Sequence, residues 1–176
     1  FSSALVSKEE LKGILGGCFS PHYFPIELVE NLTHIQYLEF KDASKIINSF
    51  CDVNSIDLRH PGGATGYIFE SNTGKFCYLL DHEYDEESAP TIINAAKDAD
   101  FILWDGMFTD EELKMRKGWG HSSISQGADF LASTNAKKLA ICHHSPYRND
   151  KEMMILERDV VSKNLFLARE GQIIKI

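Results

Sequence analysis

The chain has 176 residues, a formal net charge of −8, 43% hydrophobic residues and 25% charged residues. These values are ordinary for a globular protein, so they exclude an intrinsically disordered chain, and the length predicts one domain with a hydrophobic core. The acidic balance argues against a broad nucleic-acid-binding surface, because non-specific affinity for phosphates needs clustered lysine and arginine. It does not exclude a small phosphorylated substrate held at a local metal site.

The first part of the chain is predicted to be mostly extended. Ser7 opens a capping-box sequence for a short helix that ends near Gly16, and the prolines of 21–25 predict an extended aromatic loop. Apolar and polar residues alternate over 35–40, which predicts a half-buried strand. Further strands are predicted over 55–59, 65–70 and 75–80, the last two joined by a turn that contains Gly74.

Helices alternate with strands in the second part of the chain. Helices are predicted over 88–99, from Thr109 to about Gly118, from a cap at Ser122 or Ser123 onward, and over 150–161. Strands are predicted over 101–104 and 138–143, and a terminal hairpin over 165–176 around Gly171. The whole pattern indicates an α/β chain with its helices outside a sheet.

The four cysteines are widely spaced and include no CxxC pair. This spacing is typical neither of a zinc ribbon nor of a dense disulfide framework, and it favours a reduced, cytoplasmic setting. No apolar stretch reaches transmembrane length and no signal peptide is visible, so we expect no membrane partner.

Three predicted strands end in a residue that can bind a metal. Asp81 follows an apolar run, and His60 and His143 come at the ends of two other strands. A carboxylate at the end of a buried strand needs a cation or several hydrogen-bond donors, and carboxylate with imidazole suits zinc. The pattern therefore predicts a metal site along one sheet edge. Taken singly, His60 could instead be a turn residue and Asp81 a cap.

Two other histidines bear on this site. His144 directly follows His143, and neighbouring residues on a strand point to opposite faces, so at most one of the two faces the metal. His121 comes just before a capped helix, where the positive helix end favours an anion. The alternative for His121 is a histidine on a mobile loop.

The chain resembles the C-terminal two-thirds of a metallo-β-lactamase-fold hydrolase, in the ribonuclease Z and cyclic-phosphate phosphodiesterase branch. The ordered stretches that carry the resemblance are His60-Pro-Gly-Gly-Ala-Thr-Gly-Tyr67, Tyr78-Leu-Leu-Asp-His-Glu83, Trp119-Gly-His-Ser-Ser123 and Ile141-Cys-His-His-Ser-Pro146. It implies part of an αββα sandwich with mixed sheets and outer helices. Residues 1–176 would then be the C-terminal portion of one such domain.

The resemblance also implies roles for five residues. His60 would ligate a first metal, Asp81 would bridge two metals, and His143 rather than His144 would ligate the second. His121 would contact the scissile phosphate or help to protonate the leaving group, and Ser123 would keep a substrate-binding hydroxyl where the family usually has threonine. The implied cofactors are two divalent ions about 3.5–4 Å apart, with zinc first and manganese or iron as alternatives.

The implied activity is a metal-dependent hydrolase, most simply a phosphodiesterase that uses a hydroxide bridging the two metals. We expect a small cyclic or nucleotide-like diester as substrate, since the acidic charge disfavours extended nucleic acid. The resemblance also implies a homodimer. Because one fold carries several chemistries, a thioesterase is a further hypothesis.

One departure from the family is large. Its His-x-His-x-Asp-His signature is missing from the sequence, in which His22 and His34 are isolated. We therefore expect the chain to be a fragment that is inactive by itself. The competing hypothesis is a degenerate, non-catalytic module used for binding or dimerisation.

Overall fold

The computed structural model describes residues 5–23, 35–47, 49–160 and 162–176, and the chain divides into two compact units, Phe1–Phe50 and Cys51–Ile176. Within the described ranges, no helix is both long enough and apolar enough to span a membrane. The cytoplasmic setting and the single domain stay predictions.

The described residues of the first unit form the helices α1 (Lys8–Cys18) and α2 (Phe40–Ile47). The predicted cap of α1 is confirmed: the Ser7 hydroxyl accepts a hydrogen bond from the Glu10 amide, and the Glu10 carboxylate accepts one from the Ser7 amide. The helix continues through the two glycines at which it was expected to end. Of the predicted aromatic loop, 21–23 form a turn, and the remainder lies outside the described residues.

The predicted strand over 35–40 is wrong. Residues 35–39 have no regular secondary structure, and α2 begins at Phe40. The alternation is short, whereas Phe40, Ala43 and Ile47 recur at helical spacing and Ala43 is buried. The helical period therefore prevails over the short two-residue period.

The second unit is a mixed α/β structure with one six-stranded sheet. Its strands are β1 (Asp52–Leu58), β2 (Ala64–Ser71), β3 (Gly74–Leu79), β4 (Phe101–Asp105), β5 (Leu139–Cys142) and β6 (Leu165–Leu167). Its helices are α3 (Ala89–Ala96), α4 (Asp110–Lys114), α5 (Ile124–Thr134) and α6 (Asp150–Val160). The predicted α/β class is confirmed.

The strands follow one another across the sheet in sequence order. β1, β2 and β3 pair antiparallel, whereas β3, β4, β5 and β6 pair parallel. β1 therefore runs in the same direction as β3, β4 and β5, and these four strands end at the same edge of the sheet. At this edge each strand ends in, or is soon followed by, a histidine or an aspartate: His60, Asp81, Asp105 and His143.

The core is formed mainly by the central parallel strands and the helices packed on them. Leu79, Trp104 and Ile141, on three adjacent strands, are completely buried. On α5, Phe130 packs against Trp104 with ring centroids 4.6 Å apart. A Cβ added to Gly127 would lie 2.8 Å from the Trp104 ring, so this glycine lets α5 approach the sheet closely.

The predicted terminal hairpin is wrong. β6 pairs in parallel with β5, and within 168–176 there is no further strand. The crossover through α6 returns the chain to the sheet in the direction of β5, so β6 extends the existing sheet. Gly171 does lie in a turn, with φ +73°.

Candidate metal centre

The site is built where the strands stop. Asp81 and His143 follow β3 and β5, and both have left-handed backbone conformations, with φ +59° and +57°. Few non-glycine residues adopt this region, although aspartate and histidine do so more readily than most. The local reversal ends each strand and turns the two side chains towards the same edge.

The Asp81 carboxylate lies among three imidazoles. Its Oδ1 atom is 3.6 Å from His60 Nε2, 3.6 Å from His143 Nδ1 and 3.7 Å from His121 Nδ1. These separations exceed hydrogen-bond distance, and the Asp81 side chain is 56% exposed. His60, Asp81 and His143, which the sequence predicted to meet at one sheet edge, therefore lie together. His121 lies beside them.

Asp105 completes the cluster, and sequence analysis did not assign it a role. It is the last residue of β4, and its side chain is completely buried. Its Oδ2 atom accepts hydrogen bonds from His121 Nδ1 at 2.9 Å and from His143 Nδ1 at 3.2 Å. The available signal was the one used for Asp81, an apolar strand that ends in a carboxylate.

The contacts of Asp105 determine which imidazole nitrogens remain free. An ionised carboxylate only accepts hydrogen bonds, so Nδ1 of His121 and of His143 must carry the proton. When the ring is neutral, Nε2 of each histidine then has a lone pair for a metal or a substrate. Orientation of a histidine by a carboxylate in this way is common in metal sites.

Two pKa shifts follow from this geometry. Burial raises the pKa of Asp105, but hydrogen bonds from His143 and His121 outweigh it, so the net shift is below the ordinary value. The hydrogen bond to Asp105 raises the pKa of His143, against the opposing effect of burial. Both shifts favour the charged pair.

The histidine rings pack edge to face. The ring centroids of His60 and His121 are 5.4 Å apart, and those of His121 and His143 are 4.9 Å apart. His121 is held between the other two, with 13% of its side chain exposed.

His144 and Ser123 do not belong to the group of residues around Asp81. His144 lies outside the cluster, and burial followed by the charge of Arg148 lowers its pKa. Ser123 is buried at the N-cap of α5, where its hydroxyl accepts a hydrogen bond from the Gln126 amide. Substrate contact by Ser123 stays a prediction.

His82, the neighbour of Asp81, lies in the core instead of the cluster. Its side chain is completely buried against Trp104, with ring centroids 4.6 Å apart. Burial lowers the pKa of His82 to about 4, so this imidazole is neutral at physiological pH.

The donor set fits a divalent metal. Ligand atoms from Asp81, Asp105, His121 and His143 all lie within 4.8 Å of one another. Two carboxylates and two imidazoles suit zinc and other first-row ions. Because His60 Nε2 is also beside Asp81, a fifth donor is at hand.

A family profile described as "Beta-lactamase superfamily domain" matches residues 28–144. The chain belongs to this superfamily, and its mixed sheet agrees with the metallo-β-lactamase fold.

Curated relatives carry the name ribonuclease Z. The chain is 31% identical over 106 residues to that of Prochlorococcus marinus, which covers 57% of this chain and 33% of the relative. It is 39% identical over 62 residues to that of Lactobacillus helveticus, covering 35% of this chain and 20% of the relative. The chain thus spans a third or less of these relatives.

Solved structures share the fold. Human tRNase Z, short form, superposes with a TM-score of 0.57 and 21% identity, covering 72% of this chain and 42% of that one. The metallo-beta-lactamase fold protein YhfI from Bacillus subtilis superposes with a TM-score of 0.55 and 15% identity, covering 69% of this chain and 48% of that one. At these identities the likeness establishes the fold alone.

Proposed function

We propose that the protein containing this chain is a metal-dependent phosphodiesterase. The observation that carries the proposal is the position of the Asp81 carboxylate, 3.6 Å from both His60 and His143. A carboxylate between two imidazoles is suited to bridge two ions that each take one of the rings. The proposed ligands are His60, Asp81 and His143, the last through Nε2, because its Nδ1 is held by Asp105.

When bound, a pair of divalent ions would supply Lewis acidity at the phosphoryl oxygens and hydroxide near neutral pH. His121 would act on the leaving group. Its Nδ1 donates to Asp105, so its Nε2 faces away from the carboxylate and can exchange a proton with a substrate oxygen.

Two hypotheses for the substrate differ in its size: a small phosphodiester or an RNA. The net charge of −8 favours a small diester. The names of the relatives, ribonuclease Z and tRNase Z, favour an RNA phosphodiester and do not support the exclusion of nucleic acid. We propose an RNA or nucleotide phosphodiester, and assays on both sizes of substrate decide between them. A homodimer remains part of the proposal.

The test measures bound metal and hydrolysis in the intact protein. Metal content is determined by elemental analysis, and turnover on bis(4-nitrophenyl) phosphate, a cyclic nucleotide and an RNA oligonucleotide. We expect Asp81→Ala to abolish turnover, whereas Asp57→Asn, at an exposed site on β1, keeps it. An intact protein that neither binds metal nor hydrolyses any of the three substrates would overturn the proposal in favour of a binding module.

A further inference from the structure

We propose that Glu83 is a positioning residue of this site, which holds the Gly118–Gly120 turn so that His121 stays against His60 and Asp105. Glu83 is buried, and its carboxylate accepts hydrogen bonds from two main-chain amides of one turn. Its two oxygens lie 2.9 and 2.7 Å from the Gly118 amide nitrogen, and Oε2 is 3.1 Å from the Gly120 amide nitrogen. His121 is the next residue of the chain.

Glu83 also connects the other loops of the site. Its own amide donates to the carbonyl of Arg59 at 2.8 Å, directly before His60. It lies two residues after Asp81. One residue therefore joins the loops that follow β1 and β3 to the loop that carries His121.

A second link runs beside the first. The Ser122 hydroxyl donates to the His82 carbonyl at 2.6 Å and accepts from the Tyr84 amide at 3.0 Å. The segment on both sides of Glu83 is thereby bonded to the segment that follows His121. Since Ser122 fixes only the far side of His121, the near side depends on Glu83.

The turn that Glu83 binds has little room to move. Gly120 has φ +90°, and a Cβ added there would lie 2.3 Å from Cδ2 of His60 and 2.5 Å from Cδ of Pro61. The backbone thus lies directly against the His60 ring. Glycine permits this approach, but it also leaves the turn free to adopt other conformations once released.

A carboxylate is the group that this position needs. Burying a charge is costly unless it is hydrogen-bonded, and main-chain amides supply short, charge-assisted bonds. Glutamine keeps the shape but has one oxygen, and its NH₂ group would face an amide N–H. Because Glu83 lies outside the metal-binding group, its effect on chemistry passes through His121.

Glu83→Gln in the intact protein tests this role, with Glu87→Gln, at an exposed site in the same loop, as the matched control. We expect the Gly118 and Gly120 amides to exchange hydrogen about ten to a hundred times faster, since charge-assisted bonds are lost. The imidazole NMR signals of His121 should shift, whereas the control leaves both readouts unchanged.

The kinetic readout rests on the proposed function. We expect kcat to fall about ten- to a hundred-fold with KM and bound metal unchanged, because His121 is misplaced while the ligands remain. Unchanged exchange and an unchanged His121 signal would overturn the proposal, as would a lower Tm with kcat preserved. If the parent protein proves inactive on phosphodiesters, the NMR readouts still decide on Glu83.

Discussion

Asp81 comes just after β3 and Asp105 ends the neighbouring parallel strand β4, at one sheet edge, yet their side chains are in opposite environments. Asp105 is completely buried and accepts bonds from two histidines and from the amides of His82 and Met107. Asp81 is 56% exposed, and the nearest histidine nitrogens are 3.6 Å away. The difference shows a division of tasks: the buried carboxylate fixes the rings, and the exposed one keeps its bonding capacity for a ligand.

Removing the buried carboxylate gives the largest expected effect. Asp105→Ala leaves His121, His143 and two amides without their acceptor, so we expect the free energy of unfolding to fall by about 3–5 kcal/mol. Urea denaturation measures this loss. Asp57→Ala, on the exposed face of β1, is the control. A loss no larger than the control's would show that Asp105 is dispensable for the fold.

The next effect concerns His82, which is completely buried against Trp104. In the unfolded chain its pKa is near 6.5, and in the folded chain about 4, so between these values the unfolded state binds more protons. Lowering the pH through this window therefore favours unfolding, by about 3 kcal/mol at the acid end. Above about pH 6.5 the His82 imidazole is neutral in both the folded and the unfolded chain, and this loss of stability disappears.

His82→Phe should flatten this acid dependence, because phenylalanine fills the aromatic site without titrating. Urea denaturation at pH 7 and near pH 4.5 checks this against wild type, with His22→Asn at an exposed position as control. The same steep acid loss in His82→Phe would show that other groups cause it.

A smaller effect is expected in the Gly118–Gly120 turn, where two glycines can be compared. Gly118 and Gly120 both have positive φ, but an added Cβ meets nothing at Gly118, whereas at Gly120 it meets the His60 ring. We expect Gly118→Ala to cost about 1 kcal/mol from backbone strain, and Gly120→Ala about 1–3 kcal/mol more from the clash. Thermal unfolding measures both variants. Equal losses would argue against tight contact of the turn with His60.

The smallest expected change in stability is at Asp81. Since its carboxylate is exposed and lies beyond hydrogen-bond distance of the histidines, and since asparagine also tolerates positive φ, Asp81→Asn should alter the free energy of unfolding of the metal-free protein by about 0.5 kcal/mol or less. Metal titration of the same variant should show weaker binding. If this variant loses much stability in the absence of metal, then Asp81 supports the fold as Asp105 does, and the two carboxylates do not have separate tasks.

Part of the site could be predicted from local sequence. An apolar strand followed by Asp81 or His143 placed both residues near one edge, because the ends of parallel strands meet there. Asp105 follows the same pattern, but no motif distinguished its carboxylate from a strand-end cap. Its role depends on two histidines 16 and 38 residues away, and such contacts are decided by tertiary packing.

The helices show the same limit. The capping boxes predicted at Ser7 and Thr109 are confirmed, and of the two predicted caps Ser122 and Ser123 the structure uses Ser123, since a cap is decided by residues three positions apart. The apolar residues of α5 predict a buried face of Ile124, Ala128, Leu131 and Ala132. Ile124 is buried, and Ala128 and Leu131 pack against the core, but Ala132 is exposed and Phe130, which lies outside the predicted face, is completely buried. Because Gly127 has no Cβ, the helix lies close enough to the sheet for Phe130 to pack on Trp104. This close approach depends on tertiary packing and cannot be predicted from the helix sequence.

By itself, the sequence determined the α/β class, most strand and helix positions, and the residues at the strand ends, because these depend on local periodicity and capping. The tertiary structure decided that one carboxylate is buried and the other exposed, that β6 joins the sheet in parallel, and that Glu83 binds the His121 turn. These outcomes depend on which distant groups remain without a partner when the core closes, and local sequence does not contain that information.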